Sequence, residues 1–150
     1  EEFNGMGTTV VVACIKEDTL YVANVGDSRL YIVNKEIAQV TRDHSLVEEL
    51  VSLGQLDRKE ARNSKNKNII TRALGAGNGI EIDFFSVEIK ENEMILMCSD
   101  GLTNMLEDEE IRMIVKGQRD IVEVAEALVR EANKRGGTDN ISVVLIEPVA

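Results

Sequence analysis

The chain alternates between short apolar runs and polar, glycine-bearing breaks. Residues 8–15 carry no charge and are rich in β-branched side chains, which predicts a buried strand. Residues 20–25 form a second strand after a polar turn at Glu17-Asp18. Gly26-Asp27-Ser28 breaks the pattern, residues 29–33 resume it, and residues 37–41 follow the turn at Asn34-Lys35 as a short fourth strand. Four strands with short links predict an antiparallel meander.

Past residue 45 the period changes. Val47, Leu50, Val51 and Leu53 have helical spacing, with Gly54 as a stop. Asp57 is placed to cap a second short helix through Arg62. Residues 63–68 are polar and basic without periodicity and read as a mobile loop. Residues 69–74 are a short ordered return, closed by the glycine-rich run 75–79. Residues 82–89 and 94–98 predict two more strands, the second ending abruptly at Ser99-Asp100-Gly101. Residues 107–115 predict a helix with acidic residues in its first turn, where the helix dipole favours them. Asp120 caps the clearest helix, whose apolar face is Ile121, Val124, Ala125, Leu128, Val129 and Ala132 and whose stop is Gly136. A Gly-Thr-Asp-Asn loop at 137–140 leads into a last strand over 141–146.

Composition narrows the class. Hydrophobic residues make up 43% and charged residues 29%, and only 3% are aromatic, so one globular domain with an aliphatic core is expected. The net charge of −10 argues against nucleic acid and against an anionic membrane surface as partners. No run approaches the roughly 20 apolar residues of a membrane span. Cys14 and Cys98 lie far apart in apolar runs, where a free cysteine acts as a small hydrophobe, and this usage fits the cytoplasm. The chain opens on Glu1-Glu2-Phe3 rather than Met, so a longer parent is expected.

Three aspartates stand out. Asp100 follows an apolar strand and precedes a glycine; Asp139 sits between a glycine pair and the last strand; Asp27 lies between two strands. Each alone is compatible with an ordinary turn or cap. A carboxylate at a buried strand end is costly unless something pairs with it, and oxygen-only ligands suit hard cations such as Mg or Mn. Spacing does not show that the three converge.

Other chemistry-bearing residues have plainer roles. His44 is the only histidine and reads as a structural or hinge residue more readily than as a general acid. Cys98 lacks the Arg six positions on that cysteine-phosphatase chemistry needs, since position 104 is Asn. The run 75–79 lacks the Lys-Ser/Thr end of a phosphate-binding loop and reads as a turn. Lys65 and Lys67 could attract phosphopeptides, but a solvated loop face is the plainer role.

Six runs in order give a more specific reading. They are Gly5-Met6-Gly7-Thr8-Thr9, Ala23-Asn24-Val25-Gly26-Asp27-Ser28-Arg29, Thr41-Arg42-Asp43-His44-Ser45-Leu46-Val47, Ile70-Thr71-Arg72-Ala73-Leu74-Gly75, Cys98-Ser99-Asp100-Gly101-Leu102 and Gly136-Gly137-Thr138-Asp139-Asn140-Ile141-Ser142. Together they resemble bacterial protein phosphatase 2C, over essentially the whole chain. The resemblance implies an α+β fold, part of a four-layer α-β-β-α sandwich with two antiparallel sheets. It implies hydrolysis of phosphoserine and phosphothreonine on proteins by a metal-bridging water, with two core Mn or Mg ions and a third, weaker one, and with no catalytic side chain named in this chain. By position, Asp100 and Asp139 match core metal-binding aspartates, and Asp27 matches one that shares the third ion with Asp100. Asn140 would support a neighbouring ligand, and residues 45–68 match a flap used in substrate handling.

The resemblance also sets expectations for the whole. The family's domain begins with an acidic ligand, a phosphate-contacting Arg and an Asp-Gly-x-Gly-Gly motif, which residues upstream of Gly5 do not supply. Residues 1–150 are therefore expected to be a single partial domain lacking its N-terminal segment. Expected partners are a phosphoprotein substrate, a cognate Ser/Thr kinase as functional opponent, and a second copy of the chain through exposed sheet edges. The competing readings are a non-catalytic binding or regulatory remnant, and a phosphatase of the sporulation or stress-signalling branch.

Overall fold

A computed structural model describes residues 3–77, 79–117 and 120–148. Asn78, within the turn predicted at 75–79, lies outside the described residues, as do Glu1 and Glu2. The elements run β1 (Val10–Lys16), β2 (Thr19–Val25), β3 (Arg29–Val33), β4 (Ile37–Gln39), α1 (Leu46–Ser52), α2 (Arg58–Asn63), β5 (Asp83–Glu88), β6 (Met94–Cys98), α3 (Asp100–Thr103), α4 (Asp108–Gly117), α5 (Ile121–Lys134) and β7 (Val143–Ile146).

The strands form two antiparallel sheets, ordered β1-β2-β5 and β4-β3-β6-β7. This corrects the predicted meander. β2 spends both edges on β1 and β5, so β3 has no edge of it to join and pairs with β4 and β6 instead. The chain changes sheet at Gly26-Asp27-Ser28, so Asp27 is not in a hairpin turn. Gly26 makes this crossing with φ of 110°, and a Cβ there would stand 2.3 Å from Thr9 Cγ2, so glycine is required on both counts.

Burial follows the two-residue period of the strands. Leu30 and Ile32 of β3 and Ile95 of β6 point between the sheets, onto Leu20 and Val22 of β2. Their alternates Tyr31, Val33, Leu96 and Cys98 point the other way, under the helices. Both faces of β3 and β6 are thus covered, which is why they read as unbroken apolar runs. The helix layer contributes Leu102, Leu106, Ile111, Val115, Val124, Leu128 and Ala132. Each fully buried Leu or Ile of this set stabilises the fold by roughly 1.5–3 kcal/mol relative to exposure.

α5 matches its prediction closely. Asp120 caps it, accepting from Val122 N at 2.7 Å and Glu123 N at 3.3 Å, and Gly136 and Gly137 end it in the positive-φ region. Its buried stripe is Val124, Ala127, Leu128 and Ala132, so Ala127 takes the place expected for Ala125 and Val129. α3 was not predicted, since a single turn of four residues leaves no period to read.

Among the described residues no helix covers the outer face of the three-stranded sheet. Val12, Tyr21 and Phe84 there are 52%, 48% and 74% exposed. The buried strand predicted over 8–15 is therefore covered on one face only, and Cys14 is exposed rather than packed. The described layers are helix, sheet and sheet, three of an α-β-β-α arrangement. No helix among the described residues is long and apolar enough to cross a membrane.

The excursion at 45–68 holds α1 and α2 and is closed at its base. Leu46 N donates to Ile69 O and Thr71 N donates to His44 O, each at 2.9 Å. Ser45 caps α1 and Asp57 caps α2, as its position predicted. The loop expected at 63–68 is held at its end, where Asn104 Nδ2 donates to Asn68 Oδ1 at 3.4 Å.

Candidate metal centre and cleft

Strand register brings the three aspartates to one end of the four-stranded sheet. Arg29 of β3 pairs with Cys98 of β6, and Cys98 pairs in turn with Val143 of β7. Two residues beyond Arg29 and Cys98, at the same sheet end, lie Asp27 and Asp100. The turn before β7 carries Asp139. Sequence spacing held no trace of this, because register is a property of strand pairs.

A second set of contacts fixes Asp100 beside the Asp139 loop. Ser99 Oγ donates to Asn140 O at 3.1 Å and accepts from Ser142 N at 3.0 Å. Gly101 lets the loop approach: a Cβ there would stand 2.2 Å from Asn140 O. Asn140 N donates to Asp139 Oδ1 at 2.7 Å, orienting that carboxylate. Asn140 therefore acts here through its backbone.

Electrostatics report the convergence. The Asp27 carboxyl is pushed up to about 6, by burial first and then by the Asp100 and Asp43 carboxylates. The Asp100 carboxyl is also raised, by burial and by Asp139. Like charges facing one another in a half-buried site are an unmet demand for positive charge. Asp43 has met that demand already, since it holds Arg29 in a two-pronged pair at 2.9 Å and 2.7 Å. Arg29 also donates to Tyr31 Oη at 2.8 Å, and Tyr31 donates to Asp108 at 2.9 Å.

Among the described residues no group of three or more His, Cys, Asp or Glu side chains is drawn together tightly enough to enclose a metal ion. Asp27, Asp100 and Asp139 are an open acidic mouth rather than a closed cage. All-oxygen donors, uncompensated charge and access to solvent fit a hard divalent cation that keeps part of its water shell.

Asp27 and Asp100 border a cleft of about 710 Å³ between the sheet end and the 45–68 excursion, and Asp139 stands outside its lining. Asp27, Asp100 and Asn104 line the sheet side; Arg58, Arg62 and Lys67 line the excursion side. Arg58 is engaged by Glu48 at 2.7 Å and Arg62 by Glu107. Lys67 makes no ion pair among the described residues and faces the cleft; Lys65 is exposed and does not line it.

His44 is 5% exposed and sits at the base of the excursion. Its ring accepts from Gly26 N at Nδ1 (3.0 Å) and meets Asp83 Oδ2 at Nε2 (2.9 Å). Arg72 donates to the other Asp83 oxygen at 2.9 Å. These contacts make His44 a structural residue at the base of the excursion. The pairs Arg29–Asp43 and Asp83–Arg72 were not singled out from the sequence. Their only signal in the sequence is that polar residues recur inside the six motif runs.

This chain belongs to the protein phosphatase 2C family, whose sequence model matches residues 2–79 and 81–141. A serine/threonine phosphatase, stp, of Listeria monocytogenes serotype 4b is 44% identical over 147 residues, covering 97% of this chain and 58% of the relative. The crystal structure of the serine/threonine phosphatase Stp1 from Staphylococcus aureus superposes with a TM-score of 0.95 at 35% identity, covering 99% of this chain and 59% of that one. The catalytic domain of the phosphatase PstP, solved in complex with 2 manganese ions, superposes with a TM-score of 0.84 at 32% identity, covering 95% of this chain and 59% of that one. The chain thus spans about three fifths of the length of these relatives.

Proposed function

We propose that this chain carries part of the site of a metal-dependent protein phosphatase acting on phosphoserine and phosphothreonine. The observation that carries the reading is the pair Asp27 and Asp100 at adjoining strand ends, their charges unneutralised and their carboxyls raised. Family membership gives that pair its chemical context.

Asp100 and Asp139 would hold core cations, and Asp27 would share a further one with Asp100. Mn is the first ion to test, because the PstP structure carries it; Mg has the same donor preference. Divalent cations, when bound, acidify water and offset charge on the phosphate. The protein's own residues supply placement. Ser99 and Asn140 hold the Asp100 and Asp139 loops together, and the residue 45–68 flap closes the far wall of the cleft. Lys67 is placed to meet a phosphopeptide entering there. In the overall reaction water attacks phosphorus, the bond to the serine or threonine oxygen breaks, and that oxygen leaves with a proton.

A phosphoprotein substrate, a Ser/Thr kinase that opposes the enzyme and a cytoplasmic setting complete the proposal. The test is hydrolysis of p-nitrophenyl phosphate by this chain with Mn, after chelation, and in Asp100→Asn. Turnover that needs Mn and disappears in the variant supports the reading. Turnover that survives both chelation and Asp100→Asn overturns it.

A further inference from the structure

The Gly26-Asp27-Ser28 crossing is enclosed on two sides. On one side Thr9 Oγ1 and Ser28 Oγ share a hydrogen bond of 2.9 Å. On the other, Gly26 and His44 are clipped twice: His44 N donates to Gly26 O at 2.9 Å, and Gly26 N donates to His44 Nδ1 at 3.0 Å. Asn24, fully buried, reinforces the clip by donating to Arg42 O at 2.9 Å.

The second contact of the clip fixes the chemistry of the ring. A backbone N–H only donates, so Nδ1 must be the bare, accepting nitrogen. Nε2 has two polar neighbours: the Asp83 carboxylate at 2.9 Å, and Arg72 Nη1 at 3.2 Å, which is itself a donor and gives its shorter bond to Asp83. With Nδ1 accepting, Nε2 carries the proton and donates it to Asp83, the nearer and only accepting neighbour. Arg72 keeps Asp83 in place from the other oxygen at 2.9 Å. The next residue, Ser45, caps α1 and opens the flap, and His44 O accepts from Thr71 N where the flap returns.

We infer that His44 is a positioning residue: held in one tautomer by Asp83, it fixes the Asp27 turn against the base of the flap. His44 does not line the cleft. It sets where the Asp27 carboxylate stands and ties that position to the seating of residues 45–69. His44 bonds the backbone of Gly26, the residue next to Asp27; outer partners that orient a metal ligand typically change metal affinity by about 10- to 100-fold when lost. The link to the cation rests on the phosphatase reading; the clip itself does not.

Two substitutions separate the ring's two contacts. An Asn side chain can set a carbonyl oxygen near the position of Nδ1, whereas Gln reaches toward Nε2 and leaves Gly26 N without its acceptor. Long-range proton–nitrogen spectra of the wild-type chain should show Nδ1 bare and Nε2 protonated. Amide exchange at Gly26 should be slow in the wild type and in His44→Asn, and fast in His44→Gln. Mn titration should give His44→Asn an affinity within about threefold of wild type, and His44→Gln one about 10- to 100-fold weaker. If His44→Gln does not fold, Asp83→Ala replaces it, on a residue outside the core; the ring should then populate both tautomers and Gly26 exchange should quicken.

A protonated Nδ1 in the wild type overturns the inference. So does Gly26 exchange that is equal in all variants, or equally fast in Asn and Gln, which would mark His44 as packing alone. A wild type with the stated tautomer and a protected Gly26 that takes up no Mn sinks the phosphatase reading while supporting the clip.

Discussion

Arg29 and Asp43 form a two-pronged ion pair at the floor of the cleft, with Nε and Nη2 donating to the two carboxylate oxygens at 2.9 Å and 2.7 Å. Their side chains are 23% and 12% exposed, so each depends on the other for its charge. Arg29 sits on β3 and Asp43 two residues before the 45–68 excursion, and the pair anchors that approach to the sheet.

Removing one partner leaves the other half-buried and uncompensated. Arg29→Ala should cost about 2–3 kcal/mol, below the 3–5 kcal/mol of a fully buried pair because some solvent reaches this one. Arg29→Lys should recover only part of it, since an ammonium cannot span both oxygens. Urea unfolding of the three proteins checks this, and equal midpoints would refute it.

The Asp27 carboxyl, raised from 3.8 to about 6, penalises the folded state once it ionises. Its contribution is favourable only where it stays protonated and is lost as pH rises through about 6. Without divalent cations, Asp27→Asn should therefore exceed wild type in stability above pH 6 by roughly 1–2 kcal/mol, after discounting for solvent screening. The gap should close below about pH 4. Mn should reverse the order at neutral pH, because the ion rewards the carboxylate that the amide lacks. Melting curves across pH, with and without Mn, read both effects.

Asp83 shows the opposite sign. Its carboxyl is lowered by hydrogen bonding to His44 and Arg72. Its contribution is present above the usual Asp range and is lost as pH falls through its own lower value. Asp83→Asn should flatten the acid limb of the stability curve and leave the region above neutrality displaced by a constant. An unchanged acid limb would refute the role.

Gly101→Ala would set a Cβ 2.2 Å from the backbone oxygen of Asn140. Backbone cannot yield as a side-chain tip can, so the Asp139 loop must move. A loss of about 1–3 kcal/mol is expected. The Ser142 amide, which donates to Ser99 Oγ at 3.0 Å, should exchange faster. Wild-type exchange there would mean the loop is not held by this contact.

The outer face of β1-β2-β5 exposes Val12, Tyr21 and Phe84, and among the described residues β1 is an open edge. Such a surface favours association, and a homodimer of this chain is the expected outcome. Light scattering at micromolar concentration should give twice the chain mass, and Phe84→Lys should shift it toward the monomer. A monomeric wild type would refute the dimer.

Local signals carried most of the elements. β6 begins and ends where its apolar run does and β3 adds only Arg29 to its own, because both faces of each are buried and nothing interrupts the run. The caps at Asp57 and Asp120 were legible because a side chain bonding its own next turn needs no distant partner. The sheet assignment was not legible. β2 and β3 look like neighbours in a hairpin, and only the competition of β5 for the edge of β2 separates them. The half-exposed face of β1 was hidden for a similar reason, since an apolar run does not say what covers it.

The sequence by itself singled out three candidates for a hard cation, Asp27, Asp100 and Asp139, each in a glycine-bearing turn at a strand end. That is local chemistry, written in residue type and flanking pattern. Tertiary structure decided that the three share one end of a sheet, that Asp43 is spent on Arg29 while Asp27 remains unneutralised, and that His44 faces Gly26 rather than the cleft. Those outcomes depend on strand register and on charges brought together from distant positions, and electrostatic energy depends on distance in space rather than along the chain.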